Sequence, residues 1–156
     1  VRTAHAGRVS LAGVVCRKQG HRTRLIYRML VHRGRVGEKK GFREKDFAAL
    51  LDAAHRQLGG AIVLVWDNYV HHVDAAMRAL IDERSWLTVF RLPAYAPDLN
   101  PAEGVWAHLK RSLGNLAPYG IDGLAAVVRN RLKRMQYRPD LLDGFIAQTG
   151  LITTPP

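Results

Sequence analysis

Ala61-Ile62-Val63-Leu64-Val65-Trp66-Asp67-Asn68 is an unbroken apolar run that ends on a carboxylate and an amide. Gly59-Gly60 precedes it and breaks the chain there. Six apolar residues between such breaks read as a strand buried on both faces, as central parallel strands are. Upstream, Phe47, Leu50, Leu51, Ala54 and Leu58 recur at three- and four-residue steps, so residues 44 to 58 read as a helix that Gly59-Gly60 ends. Downstream, Val73, Met77, Leu80 and Ile81 form one stripe, which predicts a helix over residues 73 to 83. Residues 87 to 92 read as a second short strand. A proline-rich loop and a helix from Pro101 to about Leu113 follow, then amphipathic segments over 121 to 135 and 139 to 148. At the other end, residues 8 to 16 and 24 to 32 read as strands, and Arg17-Lys18-Gln19-Gly20-His21 as the loop of a hairpin. An initial hairpin followed by alternating helices and strands implies an α/β fold, a mixed sheet flanked by helices. Sites in such sheets form at the carboxyl ends of strands, and Asp67 lies at one.

Composition narrows the partners. The chain has 156 residues, 47% apolar and 24% charged, as a globular domain has. Its formal net charge is +11 and its pI about 10.5. A surplus of that size points to a polyanion, and in a chain with no apolar run near the roughly 20 residues that span a bilayer, to DNA or RNA. Cys16 is the only cysteine, which excludes an intrachain disulfide and makes a reducing compartment the default. Cys16 itself reads as a small buried hydrophobe. The start, Val1-Arg2-Thr3-Ala4-His5, has neither a signal-peptide core nor an initiator methionine, so a piece of a longer protein is expected. No Walker loop and no dinucleotide fingerprint is present.

Two acids carry the candidate chemistry, and each has a plainer reading. Asp67-Asn68 after a strand can simply form a turn. Asn100-Pro101-Ala102-Glu103 reads as a helix N-cap, proline at the first position and Glu at the third, the capping-box arrangement. A capped helix start also fixes a carboxylate firmly, so the structural and chemical readings of Glu103 are compatible. His71-His72 lacks the cysteine pair or the His-Glu-x-x-His pattern of zinc sites.

Taken together, the motifs are far more specific. Trp66-Asp67-Asn68, then His72, then Leu92-Pro93-Ala94-Tyr95-Ala96-Pro97-Asp98-Leu99-Asn100-Pro101-Ala102-Glu103-Gly104-Val105-Trp106, then Lys110, resembles the bacterial insertion-sequence transposases of the mariner-like superfamily. The 35 residues between the two acids suit that family. The resemblance implies a ribonuclease H-like catalytic domain over residues 1 to 150, with 151 to 156 as a disordered tail. It implies a three-carboxylate site holding two Mg²⁺ or Mn²⁺ ions, in which Asp67 matches the second acid and Glu103 the third. Both would be catalytic residues and metal ligands. Asn68, His72, Asn100 and Lys110 would support them. For His72 a helix-start surface residue is the alternative, and for Lys110 an exposed helix lysine.

The family's first acid has no match. Glu38, Glu44, Asp46 and Asp52 precede Asp67, and none lies on a strand suited to the role. The first strand is therefore expected to be missing, with two sheet edges left unpaired, and the helix-turn-helix region that reads transposon ends with it. Arg33, Arg35, Lys39, Lys40 and Arg43 form the densest basic stretch and would hold a DNA backbone, or else form a solvated loop. The implied activity is metal-dependent cleavage and strand transfer at transposon ends, weak or absent in this chain for want of the first acid. The alternative is a non-catalytic DNA-binding remnant of a transposase. The implied partners are transposon-end and target DNA. A homodimer is left open, no membrane is involved, and the setting is the cytoplasm, at the bacterial nucleoid.

Overall fold

Alternation along the first hairpin sets the layers of the fold. A computed structural model describes residues 7–114 and 120–151. Strands β1 (Arg8–Cys16) and β2 (Arg24–His32) pair antiparallel in unbroken register, from Arg8 opposite His32 to Cys16 opposite Arg24. Side chains of successive strand residues point to opposite faces. Val9, Leu11, Val15, Leu25, Tyr27, Met29 and Val31 meet one helical layer, while Ala12, Val14, Cys16 and Ile26 meet another.

The second layer is helix α1 (Glu44–Leu58), which sets Leu50 and Ala54 against Ala12, Cys16 and Ile26. The first is built from α4 (Pro101–Leu113), α5 (Ile121–Gln136) and α6 (Pro139–Gln148). Val105, Leu109, Val128, Leu132 and Leu142 are fully buried at its centre. Two glycines permit close approach there. A Cβ on Gly13 would lie 3.0 Å from the Trp106 ring, and one on Gly104 would lie 2.7 Å from Phe145 Cδ1. Trp106 packs beside Leu109 and Leu113, as the helical spacing predicts.

Strands β3 (Ile62–Trp66) and β4 (Leu87–Arg91) pair in parallel, Ile62 opposite Leu87 through Trp66 opposite Arg91. Leu64, Trp66 and Leu87 pack with Met77 of α3 (Ala75–Asp82) and with Ala48 and Leu51 of α1. The expectation that β3 is buried on both faces fails. Val63 is 67% exposed, Val65 42% and Phe90 of the paired strand 58%. Helices α1 and α3 cover one face of this pair, whereas the core of α4, α5 and α6 forms on the hairpin.

The mixed set of strands expected from the sequence is present as two pairs, one antiparallel and one parallel, and no described strand bridges β1 and β3. The helix expected over 73 to 83 is present as α3, which starts two residues later than expected, and a short helix α2 (Val70–Val73) that the spacing did not predict precedes it. Asp74 lies between them in an extended conformation, and its carboxylate accepts the Met77 N–H at 2.8 Å. An Asp whose side chain bonds to the backbone favours a cap over a helix interior. Of the tail expected over 151 to 156, residues 152 to 156 lie outside the described residues.

Candidate active site

Asp67 follows the last residue of β3 and is placed by that strand's pairing. The Trp66 carbonyl accepts the Leu92 N–H at 2.8 Å, and the Asn68 side-chain amide donates to the Leu92 carbonyl at 2.9 Å. Asn68 thus ties the end of β3 to the end of β4. Asp67 Oδ1 accepts the Tyr69 N–H at 3.1 Å, the turn that the plainer reading foresaw, and also meets His72 Nδ1 at 2.8 Å. Because a carboxylate only accepts, that ring nitrogen carries the proton.

His72 is held on three sides. Its ring stacks on Trp66 at 4.2 Å and 1°, and meets Phe47 edge-on at 4.6 Å and Tyr69 at 5.3 Å. Burial pushes its pKa below the ordinary imidazole value, against the opposing pull of Asp67. Burial thus favours the neutral imidazole, whose Nδ1–H orients the carboxylate. The surface-histidine alternative does not describe it. Nothing in the spacing pointed to the Trp66, Phe47 and Tyr69 box, since Phe47 comes from α1.

Glu103 stands in the first turn of α4. Asn100 caps that helix, its side chain accepting the Ala102 N–H at 3.1 Å. The reciprocal half of the expected capping box is replaced. A 3-10 turn over Pro97–Leu99 brings the Pro97 carbonyl to the Asn100 N–H at 2.9 Å, so that donor is already satisfied. The Glu103 side chain is exposed rather than folded back onto the cap.

Asp67, His72, Asn100 and Glu103 all line one cavity of about 1070 Å³, and Lys40 reaches its wall. Residues 10 to 17 of the hairpin and 61 to 67 line it too. The unpaired edges of β1 and β3 therefore border the same space that holds the two acids. Among the described residues no other Asp or Glu lines it. Glu44, Asp46 and Asp52 lie on α1, and Glu38 accepts the Arg33 and Arg35 backbone N–H groups in the loop before it.

The remaining basic candidates lie off that wall. Arg33 pairs with Asp122 at 2.7 Å and Lys39 with Asp46 at 2.5 Å. Arg43 reaches Glu44 at 3.6 Å, while Arg35 and Lys110 have exposed side chains.

A sequence model of the DDE superfamily endonuclease matches residues 2–120. The chain belongs to that family. No curated protein sequence matches this DDE-family domain at a significant level. Its fold is ribonuclease H-like and is shared with solved structures of Mos1 transposase. One is the Mos1 catalytic domain with raltegravir and Mg, at a TM-score of 0.59 and 15% identity, covering 99% of this chain and 81% of that one. Another is the crystal structure of the catalytic domain of Mos1 mariner transposase, at 0.51 and 15%, covering 94% and 83%. A third is the Mos1 paired-end complex with left transposon end, at 0.53 and 14%, covering 95% and 55%.

Proposed function

We propose that this DDE-family domain is the catalytic part of a transposase that cuts and joins DNA at transposon ends, with Asp67 and Glu103 holding Mg²⁺ or Mn²⁺. The observation that carries this reading is the convergence of both acids on one cavity, from the end of β3 and the first turn of α4. Their donor chemistry fits the ion, because hard divalent cations take carboxylate oxygens. His72 holds Asp67 Oδ1, which leaves Oδ2 for the metal. Hydrogen-bonded ligand carboxylates of this kind are fixed in orientation before the ion arrives. Glu103 is available because the Asn100 N–H is bonded elsewhere. When bound, the ions would activate the attacking oxygen and stabilise the leaving one. Lys40 on the cavity wall would meet phosphate oxygens, and the exposed Arg35 and Arg43 would do so elsewhere along the DNA. Arg33 and Lys39 would first have to leave their acidic partners.

A second reading rests on a specific observation: the cavity wall supplies two acids, and two ions need more oxygen ligands than these give. On this reading the chain as it stands binds DNA without cutting it. A further carboxylate on a strand between β1 and β3 would complete the site. Target DNA, a homodimeric assembly and the bacterial nucleoid as its place belong to the same proposal.

The test is nicking of supercoiled plasmid in Mn²⁺ by the chain and by Glu103→Gln. Nicking that disappears in the variant supports the catalytic reading. Equal nicking by both would overturn the assignment of Glu103. Salt-sensitive DNA binding with no nicking by either protein would favour the binding reading.

A further inference from the structure

A second group of ligand-type side chains converges from positions with no metal-ligand spacing along the chain. Glu44 opens α1, His71 lies in α2, and Asp74 caps α3. None of the three lines the cavity that holds Asp67 and Glu103. One donor atom from each lies within 4.8 Å of the other two. We propose that Glu44, His71 and Asp74 form a separate binding site for a transition-metal ion of the Zn²⁺ type, tying the start of α1 to α2 and α3.

The donor set and its geometry support this. Glu44 Oε1 lies 2.5 Å from His71 Nδ1, and Asp74 Oδ2 lies 3.6 Å from the same nitrogen. Asp74 Oδ1 is already engaged by the Met77 N–H, so only its second oxygen faces the group. A ring nitrogen carries one proton at most and can serve one of these carboxylates well, leaving the other beside a like charge. A divalent ion satisfies all three at once. Ligand atoms bound to zinc at about 2.0–2.2 Å stand roughly 3.3–3.6 Å apart in a tetrahedral site. The His71–Asp74 separation of 3.6 Å matches that spacing, and the 2.5 Å His71–Glu44 contact would have to lengthen by about 1 Å. Imidazole with two carboxylates suits a borderline ion, whereas Mg²⁺ and Ca²⁺ favour oxygen alone. The Glu44 backbone N–H and the His71 side chain hold the Glu44 carboxyl well below the ordinary carboxylate range. The three side chains are 13%, 23% and 31% exposed, which leaves a route for the ion and room for a water ligand.

The ion would act at a distance on the acid that follows β3. His71 and His72 are neighbours on α2, and Tyr69 meets both rings at 5.3 Å. Clamping α2 to α1 would hold His72 against Asp67. This inference is independent of the reading of the two acids.

Zinc titration by calorimetry tests it, in the Asp67→Asn/Glu103→Gln double variant, so that the other acids contribute nothing. One saturable Zn²⁺ per chain is expected. His71→Gln or Asp74→Asn in that background should each weaken it by at least about tenfold. Asn still caps a helix, so Asp74→Asn keeps the fold while removing the charge. Cobalt substitution should give a visible absorption band that the same variants lose. Absence of saturable binding in the double variant would overturn the site and leave a plain Glu44–His71 ion pair. Binding unchanged by both substitutions would overturn it equally.

Discussion

The two strand pairs make an instructive contrast. The hairpin is covered on both faces, by α1 on one and by α4, α5 and α6 on the other, and its helical layer contains the fully buried Val105, Leu109, Val128, Leu132 and Leu142. The parallel pair is covered on one face only and leaves Val63, Val65 and Phe90 open. The candidate chemistry sits on the less finished side. Asp67 ends the half-covered strand, while the helix carrying Glu103 is anchored in the core of the hairpin. The site is therefore divided between the best and the least packed parts of the molecule. Its stability and its chemistry should respond to different substitutions.

The largest difference should appear when one buried and one open apolar residue are truncated. Leu132→Ala removes a fully buried side chain and should destabilise the domain by about 2–5 kcal/mol. Val65→Thr, on the open face, should change stability by less than about 0.5 kcal/mol. Urea unfolding monitored by circular dichroism measures both. Similar losses at the two positions would break the contrast.

A smaller effect is expected where the covered side meets the site. A Cβ at position 104 would stand 2.7 Å from Phe145 Cδ1 and 2.9 Å from Cγ, closer than packed carbons tolerate. Gly104→Ala should therefore cost about 1–3 kcal/mol through overpacking. Part of that should return when Phe145→Leu is added, which double-mutant unfolding would reveal as coupling. Additive losses would mean that the glycine is not there for the ring.

The smallest effect concerns an ion pair joining α1 to the segment after α3. Arg84 donates to both Asp52 oxygens, at 2.7 and 2.9 Å, and holds that carboxyl below its ordinary pKa. A depressed carboxylate pKa contributes stability that is present above the unfolded value near 4 and is lost as pH falls through the folded value. The Asp52 side chain is 35% exposed, so solvent screening limits the contribution to at most about 1 kcal/mol. Comparing the chain with Asp52→Asn between pH 2 and 6 should show the native protein losing its advantage on acidification. A constant difference across that range would rule the pair out as a contributor.

Much of this was legible from local pattern. Two apolar runs joined by a polar, glycine-containing link foretold the hairpin, whose strands have the expected bounds. Asn100 and Pro101 marked the start of α4, and apolar spacing marked α5 and α6, because caps and periodicity act within a few residues. What failed depended on neighbours remote in sequence. The apolar run ending at Trp66 has the composition of a doubly buried strand, but composition cannot say which helices arrive to cover it. Asp74 is the local exception, because its side-chain hydrogen bond to the Met77 N–H outweighed the periodicity of the apolar stripe. The enclosure of His72 by Phe47, and the meeting of Glu44 with His71, join α1 to residues more than twenty positions away. No spacing rule reaches that far.

The contact of Gly104 with Phe145 also has a bearing on the order of events during synthesis. The residue after Glu103 is seated by an aromatic ring that leaves the ribosome 41 residues later. Until α6 emerges, the helix bearing that acid lacks one of its packing partners, and the core behind Glu103 is incomplete. A nascent chain would therefore carry both carboxylates before the core that seats the second is complete.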